Sequence, residues 1–183
     1  MPQRPASQSL TLTAAPGKRL RALISECFIS EAFDPATTAT RPVPKTFKSI
    51  WDTGASTSVI TQKVVDECGL QSIGPAITLG VGGRHPTEAF LVNITLLNKV
   101  SFAGLRVIRG SITADIDVLI GMDIITQGDF SITNKNDTTI FSFRHPSMVA
   151  VDFVKEHNAE LAKAALAQHG KRPLLPIRKK RRR

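Results

Sequence analysis

Over most of its middle, the 183-residue chain alternates apolar and polar positions with a period near two, in short runs broken by glycine, proline and asparagine. Leu20 to Ile29 reads as a strand and Lys45 to Trp51 as its antiparallel partner. Between them, Pro35, Pro42 and Pro44 cannot donate to a sheet ladder, so residues 31–44 are expected to form a long loop. Ile77, Leu79 and Val81 alternate, Gly82 and Gly83 supply a turn, and Phe90, Val92, Ile94 and Leu96 alternate again, which predicts a hairpin. Ala103, Leu105 and Val107 mark another strand. Val118-Leu119-Ile120 is apolar throughout, as in a strand covered on both faces, and residues 129–143 read as a last hairpin turning at 134–137.

Helical signals are few. Thr61 is placed to cap a short helix running to Cys68, with Gly69 as its stop, and Met122 to Gln127 fits a single short helix ended by Gly128. Past Pro146 the period lengthens to about three and a half residues. Ser147 is placed to cap a helix running to Gly170, with Val151, Val154, Asn158, Leu161 and Ala165 on one stripe. That stripe suits packing on the preceding domain or a short two-stranded coil with Asn158 setting the register. Residues 1–17, rich in Pro, Ser, Thr and Gln, read as a loose arm. The expected organisation is therefore an arm (1–17), a mainly β domain (18–145), a helix (146–170) and a tail (171–183).

Asp52-Thr53-Gly54 stands where the apolar pair Ile50-Trp51 ends. Asp bonds its own backbone and Gly tolerates positive φ, so the tripeptide suits a sharp exit from a strand and delivers one carboxylate into a turn. By itself this is equally the pattern of a surface Asx-turn.

Together, Asp52-Thr53-Gly54-Ala55 after an apolar strand, the glycine-rich hairpin at 80–83, and Val118-Leu119-Ile120-Gly121 ahead of a helix resemble the retropepsin-like, single-domain aspartic proteases. The resemblance covers residues 18–145. It implies a closed β-barrel subunit with one short helix after the Asp-Thr-Gly loop, one after the Val-Leu-Ile-Gly strand, and a C-terminal helix appended. It also implies that Asp52 is catalytic, that Thr53, Gly54 and Ala55 support its loop, and that Ile120 and Gly121 stand structurally beside it. Gly80, Val81, Gly82 and Gly83 would form the flap over a bound peptide. A second Asp-Thr-Gly or Asp-Ser-Gly loop is absent, so the two carboxylates of the family's mechanism would have to come from a symmetric homodimer. Two departures are visible. Retroviral relatives pair an Asp at the position of Ser56 with an Arg at that of Met122, and both are missing here together; the residue before Asp52 is Trp51, bulkier than the family's aliphatic.

Length and charge adjust this picture. With 42% hydrophobic residues the chain can fill one core, and it is too short for a two-lobed enzyme. Of the net charge of +9, residues 171–183 hold eight basic residues and no acid, which leaves the body nearly neutral. Such a terminus is a solvated tail first and a weak polyanion-binding segment second. Cys27 and Cys68 lie in apolar contexts typical of buried free thiols, so a reducing, cytoplasmic setting is expected, with no membrane span. Nucleophile and metal motifs are missing: His85, His145, His157 and His169 are scattered, and no cofactor or metal is expected. The expected activity is hydrolysis of a peptide or protein substrate. The alternatives are a catalytically silent peptide-binding dimer of the same fold, or a polyanion-binding protein acting through its tail.

Overall fold

The computed structural model describes residues 7–34, 36–38, 41–80, 83–113 and 115–169. Contact density divides the chain into two units, Met1–Met148 and Val149–Arg183.

The first unit is mainly β. Its strands are β1 (Gln8–Thr13), β2 (Leu23–Glu31), β3 (Lys45–Trp51), β4 (Val59–Ile60), β5 (Ser72–Gly80), β6 (Gly83–Leu96), β7 (Ser101–Arg109), β8 (Val118–Ile120), β9 (Asp129–Thr133) and β10 (Ile140–His145). Two short helices interrupt them, α1 (Gln62–Cys68) and α2 (Met122–Ile125). The order β2-β3-β8-β4-β7-β6 closes on itself because β6 also pairs with β2, giving the expected closed β barrel, here of six strands. Closure removes the open edges that a flat sheet would expose. β5 hangs on β6 as the predicted hairpin, with Gly80 opposite Gly83; the tip residues Val81 and Gly82 lie outside the described residues.

Inward positions of alternate strands meet in one core, with Phe47, Ile60, Val64, Ile94, Val107 and Ile120 among its fully enclosed side chains. Cys27 is buried there and Cys68 is half-buried, both as free thiols. Burial pushes the Cys27 thiol up to about 12, against a weaker opposing hydrogen bond from Ser49, and burial also raises Cys68.

Three expectations change. Residues 8–13, expected within a loose arm, form β1 and pair with β10 from Gln8↔His145 to Thr13↔Ile140. Leu10 is buried in that pairing, and the stabilisation comes from a strand about 130 residues away, which local composition does not report. Thr61 does occupy the N-cap of α1, but its hydroxyl makes no capping bond and is buried without a partner among the described residues. Gly69 does stop the helix, in the left-handed conformation at φ 64°.

The third change concerns the C-terminal helix, α3 (Phe153–His169), which begins six residues beyond Ser147. Asp152 caps it, accepting from the Lys155 N–H at 3.0 Å, while Ser147 instead donates to Asp129. Within this second unit Phe153, Val154, Leu161 and Leu166 are all exposed. The basic segment 171–183 lies outside the described residues, and no helix among the described residues is long and apolar enough to cross a membrane.

Candidate active site

The strand that ends in Asp52 is β3, which lies parallel to β8 with Trp51 opposite Ile120. The ladder continues one residue past the strand: the Asp52 N–H donates to the Ile120 carbonyl at 3.0 Å. The chain then turns as the Asp-Thr-Gly chemistry requires. The Gly54 N–H donates to Asp52 Oδ1 at 2.8 Å, and the Ala55 N–H donates to the Asp52 carbonyl at 3.3 Å. Asp52 is half-buried, while Thr53 and Gly54 are exposed.

From the other side, the Met122 N–H donates to the Ala55 carbonyl at 2.8 Å, so both ends of the loop are bonded to the β8–α2 connection. Gly121 sits against that loop. A Cβ there would stand 2.8 Å from the Thr57 carbonyl carbon and 2.9 Å from the Ala55 oxygen, both backbone atoms, which is closer than any side chain tolerates. The sequence-expected residues Asp52, Thr53, Gly54, Ala55, Ile120 and Gly121 are thus brought into one constellation.

Ser58 and Asp123 are the residues that sequence reasoning missed. Ser58 is fully buried; its N–H and its hydroxyl donate to the two Asp123 carboxylate oxygens at 2.8 and 2.7 Å, and its oxygen accepts the Gly121 N–H at 3.0 Å. One carboxylate and one hydroxyl therefore tie the Asp loop, the end of β8 and the start of α2 together. This link stands in the region where the Ser56 and Met122 departures remove an ion pair. The signal available in the sequence was one serine in the Ser56-Thr57-Ser58 run and one acid in the apolar stretch Met122 to Ile125, both too common to single out.

Trp51 also acquires a role. Its ring lies 5.1 Å from Phe141, 5.1 Å from Phe143 and 6.0 Å from Phe130, centroid to centroid, and its indole N–H donates to Ser25 Oγ at 3.0 Å. The bulky residue before Asp52 therefore joins the barrel to the β1-β10-β9 sheet, and an aliphatic side chain would leave those rings short of contact.

Asp52 borders two hollows. One, of about 310 Å³, is lined by Leu20, Leu23, Thr53, Phe130 and Ile132. The other is a cleft of about 1290 Å³ running beneath the β5–β6 hairpin, with Ile50, Val59 and Leu119 beside Asp52 and Thr78, His85 and Pro86 from the hairpin. Gly80 and Gly83 stand at the described end of that hairpin. Of the histidines, His145 is held at 3.0 Å from the Gln127 carbonyl and packs on Phe102, remote from this constellation in its contacts. Among the described residues no three His, Cys, Asp or Glu side chains are grouped to hold a metal.

Comparison with known proteins follows the same lines. No curated protein sequence matches the chain significantly. Among solved structures, a retropepsin-like aspartic protease from Rickettsia conorii is similar at 16% identity and a TM-score of 0.46, covering 76% of this chain and 96% of that one. EIAV protease complexed with the inhibitor HBY-793 is similar at 20% identity and TM-score 0.42, over 58% and 86% of the two chains. The retroviral protease-like domain of Ddi1 from Leishmania major is similar at 19% identity and TM-score 0.40, over 67% and 95%. The sequence model for the aspartyl protease family matches residues 44–124, the segment that contains the Asp52 turn, the hairpin and the Gly121 contact. The resemblance read from the sequence is thus met by a match of residues 44–124 to the aspartyl protease family model, within the closed six-stranded β barrel.

Proposed function

We propose that the chain is an aspartic endopeptidase that works as a homodimer, each protomer supplying one Asp52. The observation that carries this reading is the Asp52 turn itself, bonded to Ile120 on one side and to Met122 through Ala55 on the other, and lining a cleft that the β5–β6 hairpin also lines. Such anchoring holds a carboxylate in one place, which general acid and base chemistry requires.

Two Asp52 carboxylates facing each other would share a proton, since two like charges at hydrogen-bonding distance are costly. The ionised partner takes a proton from water as it attacks the scissile carbonyl. The protonated partner donates to the carbonyl oxygen, giving a tetrahedral diol. Collapse of the diol with proton transfer to nitrogen releases the amine, and no covalent acyl-enzyme forms. Thr53 would meet its counterpart across the axis, and the adjoining hollow, which holds Phe130 and the exposed Ile132 beside Arg21, supports an identical surface as its cover. Gly80, Val81, Gly82 and Gly83 would close over an extended peptide, whose backbone can bond to exposed hairpin amides.

The test compares wild type with Asp52→Asn on a random peptide mixture, with sedimentation fixing the oligomeric state. Cleavage that needs Asp52 and falls on dilution to monomers is expected. Undiminished cleavage by Asp52→Asn would overturn the reading, and peptide binding without cleavage by wild type would leave a silent module of the same fold.

A further inference from the structure

The cleft is not uniformly apolar. Beside Asp52 it is lined by Ile50, Val59 and Leu119, but another stretch of its wall carries Lys63, His85 and Arg109. Asp52 is the only acidic residue among the described residues that line it.

The cations on this wall are held from behind. Lys63 Nζ lies 3.1 Å from Asp117 Oδ1, and Arg109 Nη2 lies 3.1 Å from Glu88 Oε2 while its Nη1 donates to Gln62. Neither Asp117 nor Glu88 lines the cleft. Arg109 is fixed further by its backbone, whose carbonyl accepts the Thr87 hydroxyl at 2.7 Å. An ammonium has three N–H donors and a guanidinium five, so these contacts leave donors unused on both groups. The side chains of Lys63 and Arg109 are 58% and 37% exposed, open enough for a ligand to reach them.

We propose that this wall is a subsite for an acidic side chain of the substrate, with Lys63 and Arg109 as its specificity-determining residues. The inference rests on the peptidase reading and names the substrate class for it: peptides carrying Glu or Asp away from the scissile bond. A carboxylate placed there meets two charged donors already oriented by their partners, so little side-chain freedom is lost on binding. An amide of the same shape forms weaker, uncharged bonds, and a peptide with Lys or Arg at that position meets like charge.

The experiment takes a cleaved peptide and replaces each position in turn by Glu and by Gln, reading the ratio of kcat/KM for the two. One position is expected to favour Glu by about tenfold, the scale of one charge-assisted hydrogen bond. Lys63→Gln and Arg109→Gln should each remove most of that ratio, and added salt should reduce it in wild type. Trp51 fluorescence checks that each variant is folded. Absence of any Glu-favouring position, or a ratio untouched by both substitutions, would overturn the proposal while leaving the peptidase reading standing. Should wild type cut no peptide, the same pairs are compared by binding anisotropy. Tighter binding of the Glu member, lost in Lys63→Gln, would keep the subsite and refute the peptidase; equal binding would overturn both.

Discussion

Replacing Ser58 by Ala tests whether the Asp52 loop is held by the Ser58–Asp123 link. The substitution removes a hydroxyl that donates to a carboxylate at 2.7 Å and accepts the Gly121 N–H at 3.0 Å. A hydrogen bond to a charged acceptor contributes about 1.5–3 kcal/mol, and a buried N–H left without an acceptor costs about 1–3 kcal/mol. Two features pull the sum towards the lower ends. Asp123 is only half-buried and the oxygen that loses the Ser58 hydroxyl keeps the Ile124 N–H at 3.0 Å, and its other oxygen keeps the Ser58 N–H at 2.8 Å. Ser58 itself is fully enclosed, so water cannot replace its hydroxyl at Gly121. The expected destabilisation is about 3 kcal/mol. The chain holds a single tryptophan and no tyrosine, and Trp51 is buried, so urea unfolding followed by its emission reads the loop's own neighbourhood. A cycle with Asp123→Ala should give a coupling of about 1.5 kcal/mol, because either change removes the shared bond. A loss below about 0.5 kcal/mol for Ser58→Ala, or additive single effects, would show that the loop is fixed by its backbone bonds alone.

Gly121→Ala forces a methyl group against the Thr57 and Ala55 backbone, so peptide cleavage should fall by more than about tenfold even at temperatures where the protein is folded; unchanged kcat/KM would show that the Asp loop tolerates displacement. Trp51→Phe should cost about 1–2 kcal/mol through the lost Ser25 bond, and Trp51→Ala about 3–5 kcal/mol through the cavity among Phe130, Phe141 and Phe143; calorimetry of the two separates the hydrogen bond from the packing. Burial holds the Cys27 thiol well above its ordinary 9.0, pushing it up to about 12. The folded thiol therefore keeps its proton where the unfolded one loses it, and stability is full below pH 9.0 and lost as pH rises towards 12. By pH 10 the loss should be on the order of 1 kcal/mol, and urea midpoints of wild type and Cys27→Ala measured across this range should converge; parallel curves would refute it.

Much of the site was legible because its chemistry is local. An Asp that bonds two residues ahead, a glycine that follows it, and an apolar strand before it are neighbours in the chain, so the Asp52 turn could be read before any fold was known. The β5–β6 hairpin and the Gly69 stop are likewise decided within a few residues by alternation, paired glycines and the left-handed conformation. Pairings over long separations were not legible. β1 finds β10 across the whole domain, and its two leucines do not stand out in a segment of Ser, Thr and Gln until Phe141 and Phe143 are placed against them. Ser58 and Asp123 are ordinary polar residues until the fold encloses Ser58 and sets its N–H and hydroxyl on the Asp123 carboxylate. Trp51 looked out of place in sequence and fits once the second sheet supplies three rings and Ser25 a hydrogen-bond acceptor. The sequence by itself thus determined where the carboxylate turn, the hairpin and the apolar strands would lie, since backbone preference and side-chain period act over a few residues. The tertiary structure decided what anchors that carboxylate and what lines the cleft before it, because buried hydrogen bonds and ion pairs form only where distant segments exclude water together.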